Sequence, residues 1–331
     1  MPISIVICAK NELNNLKAHL NTWVNQKYHD FEVIIVNDCS TDGSREWLDI
    51  QARKHSLLKI IHLENEDKIL KGKRHALWNG IQAAKYDHLL FTDADCKANT
   101  DLWIVSMVSG FSATKEIVIG YSPYEKKPGL LNRMIQYDTL QTALQYLGWA
   151  GRGNPYMAVG RNVAYKKSLL TAKVFNASNK SISGDDDLIF QQVATKDNTA
   201  TVLDKKSFTT SKSPTTYKEW IHQKTRHYGA GKHYPFSLKI LLGLYSLSHL
   251  FYYLFAISFI IQQDIIAGII FLFILPFLLR LLLNLRQYRT LNATQLILHT
   301  LYIDILYWLF YFVVLLLPLP RNYGWKLKKN R

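Results

Sequence analysis

Short apolar runs alternate with longer amphipathic stretches along the first 235 residues. The runs ISIVIC (3–8), FEVIIV (31–36), LKIIHL (58–63) and HLLFT (88–92) have the length and composition of strands. Amphipathic stretches at 11–26, 42–55 and 72–85 separate them, and Ala76, Gly80 and Ala84 recur every four residues, as on one face of a helix. The alternation predicts βαβ crossovers and a mostly parallel sheet covered by helices on both faces.

The pattern changes at about Pro235, where three long apolar segments begin. They cover 236–261, 265–285 and 296–320, and each has about 20 residues or more, enough to cross roughly 30 Å of hydrocarbon as a helix. Buried helices of a soluble domain are the alternative, which the lack of a polar face disfavours. We therefore expect a folded domain at 1–234, two or three transmembrane or interfacial helices at 235–320, and a basic tail at 321–331.

Charges qualify this picture of the apolar half. Arg280 and Asp304 interrupt the second and third apolar segments. Charges within membrane segments usually face the interior of a helix bundle or reach out to the interface. The bias of Lys and Arg predicts that the N-terminal domain and the 280–290 loop lie on the cytoplasmic side. Three full spans would place the basic tail outside, against that rule, so the number of spans stays open.

Composition narrows the class of partner. The formal net charge is +15, which favours an acidic partner such as a phosphorylated small molecule or anionic lipid. Nucleic acid is disfavoured, because the basic residues are not clustered with aromatic platforms. Three cysteines (Cys8, Cys39 and Cys96) without a CxxC pair argue against a disulfide framework or a zinc site. The N-terminus shows no signal-peptide pattern.

Polar residues follow three of the predicted strands. They are Ala9-Lys10-Asn11-Glu12, the stretch from Asn37 to Gly43, and Asp93-Ala94-Asp95. Because ligands bind beyond the carboxyl ends of parallel strands, we expect these groups to converge on one edge of the sheet. Two carboxylates one residue apart offer hard oxygen ligands that suit Mg²⁺ or Mn²⁺, and such ions usually take further oxygens from a substrate phosphate. A solvated turn is the alternative explanation.

Basic residues at a predicted helix start strengthen the case for a phosphate. Lys71, Lys73 and Arg74 begin the 72–85 stretch, and the N-terminus of a helix itself favours anions. A solvated helix start would look the same in isolation. The first strand is not followed by GxGxxG, which argues against a nicotinamide-dependent dehydrogenase.

Seven motifs in order resemble glycosyltransferase family 2, the inverting nucleotide-sugar transferases with the GT-A fold. They are SIVICAKNE, VNDCSTDGS, KGKRHALWNG, FTDADC, GRNVAYKKS, SGDDDL and WIHQKTRHYGAG, and they span about residues 1–232. The chain departs from the family pattern at Asn37, where an Asp is common, and at His227, where a Trp is usual. The resemblance implies a GT-A domain, a nucleotide-sugar donor and a divalent metal.

The resemblance also implies roles for individual residues on the donor side. Asp93 would contact the nucleoside side of the donor, and Asp95 would ligate the Mg²⁺ or Mn²⁺ that bridges the diphosphate. Gln223 and Arg226 would cover the diphosphate or help to hold the acceptor. The residues expected to line the base and ribose are Ala9, Asn11, Glu12, Asp38 and, nearby, Lys73.

The catalytic base is expected in the SGDDDL segment. Aligning the family pattern Glu-Asp-x-x-Leu on Leu188 makes Asp185 the first choice of base, and Asp186 is the second because the missing Glu leaves the register open by one residue. Inverting transfer needs one base for the acceptor hydroxyl and a neutralised leaving diphosphate. The triplet could equally cap the helix that follows, where Asp is favourable.

Together these features predict a membrane-bound inverting glycosyltransferase with its catalytic domain in the cytoplasm. It would move a sugar from a nucleotide donor, with UDP-sugar as the first choice, to a lipid-linked or membrane-proximal glycan. The alternatives are a processive polysaccharide synthase and a non-catalytic scaffold that binds nucleotide sugars. Four aromatic residues before the first apolar segment are expected to form an interfacial belt at the membrane: Tyr217, Trp220, Tyr228 and Tyr234.

Overall fold

The structure, a computed structural model, describes residues 1–64, 70, 72–179 and 185–317, without the side chains of Asp185 and Ala230. The chain forms two compact units. Among the described residues, the first unit contains 1–125 and 142–213, and the second contains 126–141 and 214–317. The predicted domain boundary at 234 stays a prediction. Lys71 and the predicted basic tail lie outside the described residues.

The first unit is built on a mixed sheet of seven strands in the order β3-β2-β1-β4-β7-β6-β8. β1 to β4 are parallel, β7 runs antiparallel between β4 and β6, and β5 pairs with β9 in a separate two-stranded sheet. The strands are β1 (Ile3–Ala9), β2 (Phe31–Asp38), β3 (Leu58–Leu63), β4 (His88–Asp93), β5 (Cys96–Ala98), β6 (Ile117–Ile119), β7 (Val163–Lys166), β8 (Thr199–Thr201) and β9 (Thr209–Ser211).

Helices cover this sheet in the predicted βαβ pattern. In this unit they are α1 (Leu13–Val24), α2 (Ser44–Lys54), α3 (Arg74–Ala83), α4 (Trp103–Val108), α6 (Ala172–Ser178) and α7 (Asp185–Val193). Helix α5 (Leu130–Gly151) contributes residues to both units. The four predicted strands and three predicted helices of the N-terminal part are confirmed, with ends that shift by at most two residues.

Burial on both faces explains why the central strands read as continuous apolar runs. Every residue of β1 is buried, and Ile5 and Ile7 pack in one core with Leu16 and Trp23 of α1. On the other face, α3 approaches closely at Gly80, where an added Cβ would lie 2.6 Å from Val6 Cγ1. A side chain at position 80 would therefore push the helix off the sheet.

Two loops at the carboxyl edge are tied to each other by side-chain hydrogen bonds. After β1, Asn11 adopts a left-handed conformation (φ 53°) and its Oδ1 accepts from the Thr41 N–H at 2.8 Å. In return, the Asn11 N–H donates to Ser40 Oγ at 2.9 Å. Asp42 accepts from the Leu13 N–H at 2.8 Å and from Ser44, so both loops are clamped where they enter α1 and α2.

The second unit is helical and strongly apolar. Besides residues 130–141 of α5, it contains α8 (Tyr217–Gly231), α9 (Phe236–Ile261), α10 (Ile265–Thr290) and α11 (Thr300–Leu316). Helices α9 and α10 have 26 residues each and mean hydropathies of 1.7 and 2.7, long and apolar enough to cross a membrane. Their apolar side chains are largely exposed, for example Ile261 at 76% and Leu282 at 79%, unlike the core helices of a soluble domain.

Local sequence explains two irregularities in the apolar helices. A π-helical segment, Ile270–Ile274, precedes Pro276 in α10, because proline removes one donor and displaces the carbonyl four residues earlier. The third apolar segment, predicted at 296–320, forms a shorter helix that begins at Thr300 after a 3₁₀ turn at Thr294–Leu296. Two segments thus reach spanning length, within the two or three predicted.

The charged residues of the apolar segments pair with each other inside the second unit. Arg280 Nη2 lies 2.7 Å from Asp304 Oδ1, and both side chains are largely buried. The Asp304 carboxylate also accepts from the hydroxyls of Tyr137 (2.6 Å) and Tyr253 (2.5 Å). Arg280 donates in addition to Gln141 Oε1 at 3.2 Å. Of the two arrangements left open by the sequence, the structure shows the one in which both charges lie in the interior of the second unit.

The predicted aromatic belt is wrong for Trp220. This residue is fully buried and its ring stacks on Phe310 with 3.7 Å between centroids. Tyr228 likewise contacts the ring of Tyr311, with centroids 5.6 Å apart. Trp220 serves as a packing residue between α8 and α11, because its large apolar surface gains more from burial than from a position at an interface.

Removing one charge of the buried Arg280–Asp304 ion pair should lower the free energy of unfolding more than removing both charges. Arg280→Met leaves an uncompensated carboxylate and Asp304→Asn an uncompensated guanidinium, each expected to destabilise by roughly 3 kcal/mol or more. The double variant should recover part of that loss. Thermal unfolding in detergent measures it, with the exposed Arg286→Met as the matched control. Additive losses in the double variant would show that the pair is not coupled.

Removing the Asp42 clamp should destabilise the first unit in a pH-dependent way. Burial acts to raise the pKa of Asp42, but the hydrogen bonds from Ser44 and Leu13 outweigh it and hold the pKa below its usual value. The stabilisation is therefore present above the unfolded pKa and lost as pH falls through the folded pKa. Asp42→Ala should cost about 1–2 kcal/mol at neutral pH.

The check is the apparent melting temperature of both proteins between pH 7 and pH 3.5, where the difference should shrink towards the acid end. Asp42→Asn keeps one acceptor oxygen and should lose less than Asp42→Ala. Equal losses at every pH would mean that the carboxylate charge contributes nothing to the clamp.

Candidate active site

Polar side chains meet at the carboxyl edge of the three adjacent strands β2, β1 and β4. The register pairs Ala9 with Asn37 and Cys8 with Asp93, so the strands end at nearly the same level. The loops that follow therefore begin side by side, as the sequence predicts. Ala9 and Asp38 are both fully buried at this edge.

The loop residues expected on the nucleotide side lie at the same edge. Glu12 Oε2 accepts from Asn15 Nδ2 at 2.6 Å, and Asn15 Oδ1 accepts from Lys212 Nζ at 3.1 Å. The Asp38 carboxylate accepts from the Cys39 thiol, whose residue has a left-handed backbone (φ 51°). Hydrogen bonds within and between the two clamped loops thus hold Asn11, Glu12 and Asp38.

Asp93, Asp95 and Cys96 form a cluster able to hold a metal ion. One potential ligand atom from each residue lies within 4.8 Å of the others. Burial, followed by the negative charges of Asp93 and Glu12, raises the pKa of Asp95 to about 6. Two neighbouring carboxylates that repel each other are hard oxygen donors of the kind that Mg²⁺ or Mn²⁺ prefers, so the residues present fit such an ion.

Lys73 stands at the start of α3 and forms an ion pair with Asp93. Burial alone would lower the pKa of this lysine, but the charges of Asp93 and Asp186 outweigh burial and raise the pKa well above its ordinary value. Lys73 therefore stays protonated at this edge. It places one fixed positive charge between two carboxylates that come from distant parts of the sequence.

Asp186 is held at the start of α7 by a backbone donor. The Gly160 N–H donates to Asp186 Oδ2 at 3.0 Å, and any Cβ at position 160 would overlap the carboxylate. Burial raises the pKa of Asp186, while the charge of Lys73 opposes that rise. A half-buried carboxylate with a raised pKa and one fixed oxygen can accept a proton from a hydroxyl group. Asp186 is therefore a candidate for the general base.

Sequence reasoning missed Arg161, which also belongs to this edge. Its Nη1 donates to Ser211 Oγ at 2.8 Å, and its guanidinium lies 4.5 Å from the ring centroid of Tyr124. Ser211 pairs with Cys96 across β5 and β9, which brings Arg161 beside the strand that follows Asp95. The motif GRNVAYKKS contains Arg161, but only the long-range β5–β9 pairing reveals its neighbours.

The roles predicted for the site residues all stay predictions, including those of Asp185, Gln223 and Arg226. The side chain of Asp185 is not described, so nothing relates it to the neighbours of Asp186. Gln223 and Arg226 lie one turn apart on α8 in the second unit, and their expected contact with the donor or acceptor remains a sequence-based expectation.

Comparison with known proteins identifies the family. Residues 4–171 match the model of glycosyl transferase family 2, which is half of the chain. The chain is 30% identical over 142 residues to the poly-beta-1,6-N-acetyl-D-glucosamine synthase of Staphylococcus epidermidis, covering 42% of this chain and 33% of that protein. It is 30% identical over 125 residues to the Escherichia coli UDP-Glc:alpha-D-GlcNAc-diphosphoundecaprenol beta-1,3-glucosyltransferase WfaP, covering 37% and 45%.

The fold has a counterpart among solved structures. The mannosyltransferase PcManGT from Pyrobaculum calidifontis, solved in complex with GDP-Man and Mn²⁺, superposes with a TM-score of 0.54 at 18% identity, covering 70% of this chain and 64% of that one. The alignments span less than half the length of the two curated relatives named above. The predicted GT-A class, with its mostly parallel sheet, is confirmed. The chain belongs to glycosyl transferase family 2.

Proposed function

We propose that this protein is a membrane-bound inverting glycosyltransferase that uses a nucleotide-sugar donor. The observation that carries the proposal is the group of charges at the carboxyl edge, where Lys73 lies near Asp93 and Asp186, and Asp93 also clusters with Asp95. A metal-binding pair, a positioned base candidate and a fixed cation are the groups that sugar transfer from a diphosphate requires. Membership of the family supports the same reaction class.

The residues divide the chemistry of inverting transfer between them. The acceptor hydroxyl attacks the anomeric carbon of the donor, while the bond from that carbon to the diphosphate oxygen breaks and its electron pair leaves with the diphosphate. Asp186 takes the proton of the attacking hydroxyl. Asp95, with Asp93, would hold a divalent ion that supplies charge neutralisation for the leaving group. Lys73 pairs with Asp93, and its positive charge offsets the repulsion between Asp93 and Asp186.

For the base, we assign Asp186 ahead of Asp185, which reverses the preference from sequence alone. The Gly160 amide fixes one oxygen of Asp186, and Lys73 contributes a positive charge nearby. An ordered carboxylate with one occupied oxygen keeps the other for the acceptor proton. The adjacent Asp187 and Asp185 lie in the first turn of α7, where a negative charge interacts favourably with the helix dipole and stabilises the helix.

A UDP-sugar is the proposed donor and a lipid-linked or membrane-proximal glycan is the proposed acceptor. The name of the Escherichia coli relative carries both a UDP-sugar and a lipid diphosphate acceptor, whereas PcManGT was solved with GDP-Man. The exposed apolar helices α9 and α10 support attachment of the enzyme to the membrane in which such an acceptor resides. The Lys and Arg bias favours a multi-pass protein of the inner membrane with a cytoplasmic catalytic unit.

A processive polysaccharide synthase is the second candidate function. It is favoured by the similarity to the poly-beta-1,6-N-acetyl-D-glucosamine synthase and by the order of Gln223, Arg226 and the apolar helices. Two helices of spanning length are few for a channel of its own, which favours single transfer. A non-catalytic scaffold would bind the donor without turnover, and the complete set of site residues argues against it.

A donor panel should reveal metal-dependent turnover. Purified protein with UDP-, GDP- and dTDP-sugars, Mn²⁺ or Mg²⁺ and membrane lipid extract should release one nucleoside diphosphate, UDP by our proposal. Asp95→Asn should lower the rate by at least about 100-fold, because it removes the leaving-group cation. It should also raise the melting temperature without metal, because it relieves repulsion at a buried carboxylate.

The lengths of the products distinguish the candidate functions. One added sugar supports single transfer, and a ladder of products supports the processive synthase. Tight donor binding without turnover, in the wild type and with every metal, would contradict the enzyme proposal and favour a scaffold.

Substituting each carboxylate of the triplet should identify the base. Asp186→Asn should lower kcat by roughly 100-fold or more, because the acceptor proton loses its receiver, while the affinity for the donor changes little. Asp185→Asn and Asp187→Asn serve as matched controls on the same helical turn. Steady-state kinetics with the donor identified above is the measurement, and a collapse of kcat only in Asp185→Asn would restore the assignment from sequence.

A further inference from the structure

A single dipeptide, Gly160-Arg161, connects the base candidate with the metal-binding edge. The Gly160 N–H donates to Asp186, and the Arg161 carbonyl accepts from Thr92 Oγ1 at 2.9 Å and from Thr209 Oγ1 at 3.0 Å. Thr92 directly precedes Asp93 in β4. The backbone of Arg161 is therefore fixed to the end of the strand that carries the metal-binding pair.

The Arg161 side chain is fixed as firmly as its backbone. Nη1 is bound to Ser211, and one face of the guanidinium lies over the ring of Tyr124, an arrangement that is favourable for arginine. Ser211 pairs with Cys96, and the Cys96 thiol donates to Asp95 Oδ1 at 3.3 Å. The chain of contacts places a half-buried, immobilised positive charge next to Asp95.

This charge does not form an ion pair with the carboxylates nearby. Within the described residues, no Arg161 nitrogen lies within 4.0 Å of a carboxylate oxygen of Asp93 or Asp95. One anion can contact both a guanidinium and a metal ion when the guanidinium is not itself paired with the carboxylates that hold the metal.

Guanidinium chemistry indicates which anion that is. Arginine presents five N–H donors in a planar fork that matches phosphate oxygens. Among the described residues, the Arg161 side chain makes one hydrogen bond, from Nη1 to Ser211. The remaining donors suit a phosphate group better than a sugar hydroxyl, because the guanidinium keeps its charge at any physiological pH.

We propose that Arg161 is a second phosphate-binding cation of this site and contacts the diphosphate of the donor beside the metal held by Asp95. The inference rests on the proposed function. In the transfer step, the electron pair of the broken carbon–oxygen bond goes to a diphosphate oxygen, and Arg161 neutralises part of that charge. The proton of the acceptor goes to Asp186, so Arg161 neither gives nor takes a proton.

The test measures the affinity of the protein in detergent for two ligands, UDP and Mn²⁺. One substitution should change the two affinities in opposite directions. Arg161→Gln should weaken UDP binding with Mn²⁺ roughly ten-fold or more, because a charge-assisted contact is lost. The same variant should bind Mn²⁺ alone about two- to five-fold more tightly, because it removes a positive charge near Asp95. Uridine, which has no phosphate, should bind as it does to the wild type.

Isothermal titration measures UDP and uridine, and the electron paramagnetic resonance of free Mn²⁺ measures the metal. Arg161→Lys should fall between the wild type and Arg161→Gln for UDP. Arg53→Gln, which removes the same charge from the exposed last turn of α2, should change none of the three affinities. Circular dichroism of each variant verifies the fold.

The outcomes separate this inference from the proposed function. If UDP, uridine and Mn²⁺ all weaken together in Arg161→Gln, the residue is structural and the inference is wrong. Unchanged UDP binding would also overturn it, while the metal-dependent transfer could still stand. If the wild-type protein binds no nucleoside diphosphate at all, both the inference and the proposed function fail.

Discussion

The crowding of three carboxylates at one buried edge is the constraint around which the first unit is organised. Asp93 repels both Asp95 and Asp186, and burial strengthens the repulsion because less water screens it. Lys73 offsets two of them by standing between Asp93 and Asp186, and the Gly160 amide offsets Asp186 further. Position 73 thus needs the positive charge of a lysine. Position 160 needs a glycine, because a Cβ there would overlap the Asp186 carboxylate. What is left uncompensated falls on Asp95, the residue to which we assign the metal.

Sheet topology explains why this crowding occurs where it does. The order β3-β2-β1-β4 places strands from the first crossovers on one side of β1, whereas β4 lies on the other. At such a switch point the loops after adjacent strands diverge and open a crevice at the carboxyl edge. The clamp between Asn11 and Thr41 keeps one wall of the crevice in place, and the end of β4 supplies the carboxylates of the other.

Much of this could be predicted from the sequence because the first four strands are continuous apolar runs with polar ends. That signal is local, so β1 to β4 and α1 to α3 were predictable within a few residues, and the acidic strand ends with them. The three-residue strands β6, β8, β5 and β9 carry no periodicity of their own and exist through long-range pairing. The role of Arg161 and the contact of Gly160 with Asp186 depend on those pairings. Trp220 was misjudged because an aromatic residue near an apolar helix suits a membrane interface and a buried contact equally well.

Buried charge has opposite consequences in the two units, and internal partners make the difference. In the second unit, Asp304 has Arg280 and the hydroxyls of Tyr137 and Tyr253, so its oxygens are occupied by the protein itself. An ionisable residue in an apolar helix is by default a functional candidate, but a carboxylate with this many donors has nothing left to offer a ligand. We therefore interpret Asp304 as a packing element that fixes how its helices meet. Asp95 differs, since its described neighbours are two carboxylates, a guanidinium that forms no ion pair with it, and the Cys96 thiol as a weak donor. A burial cost that the protein offsets only in part is one that a bound cation would relieve, and this supports our assignment of the metal to Asp95 rather than to Asp304.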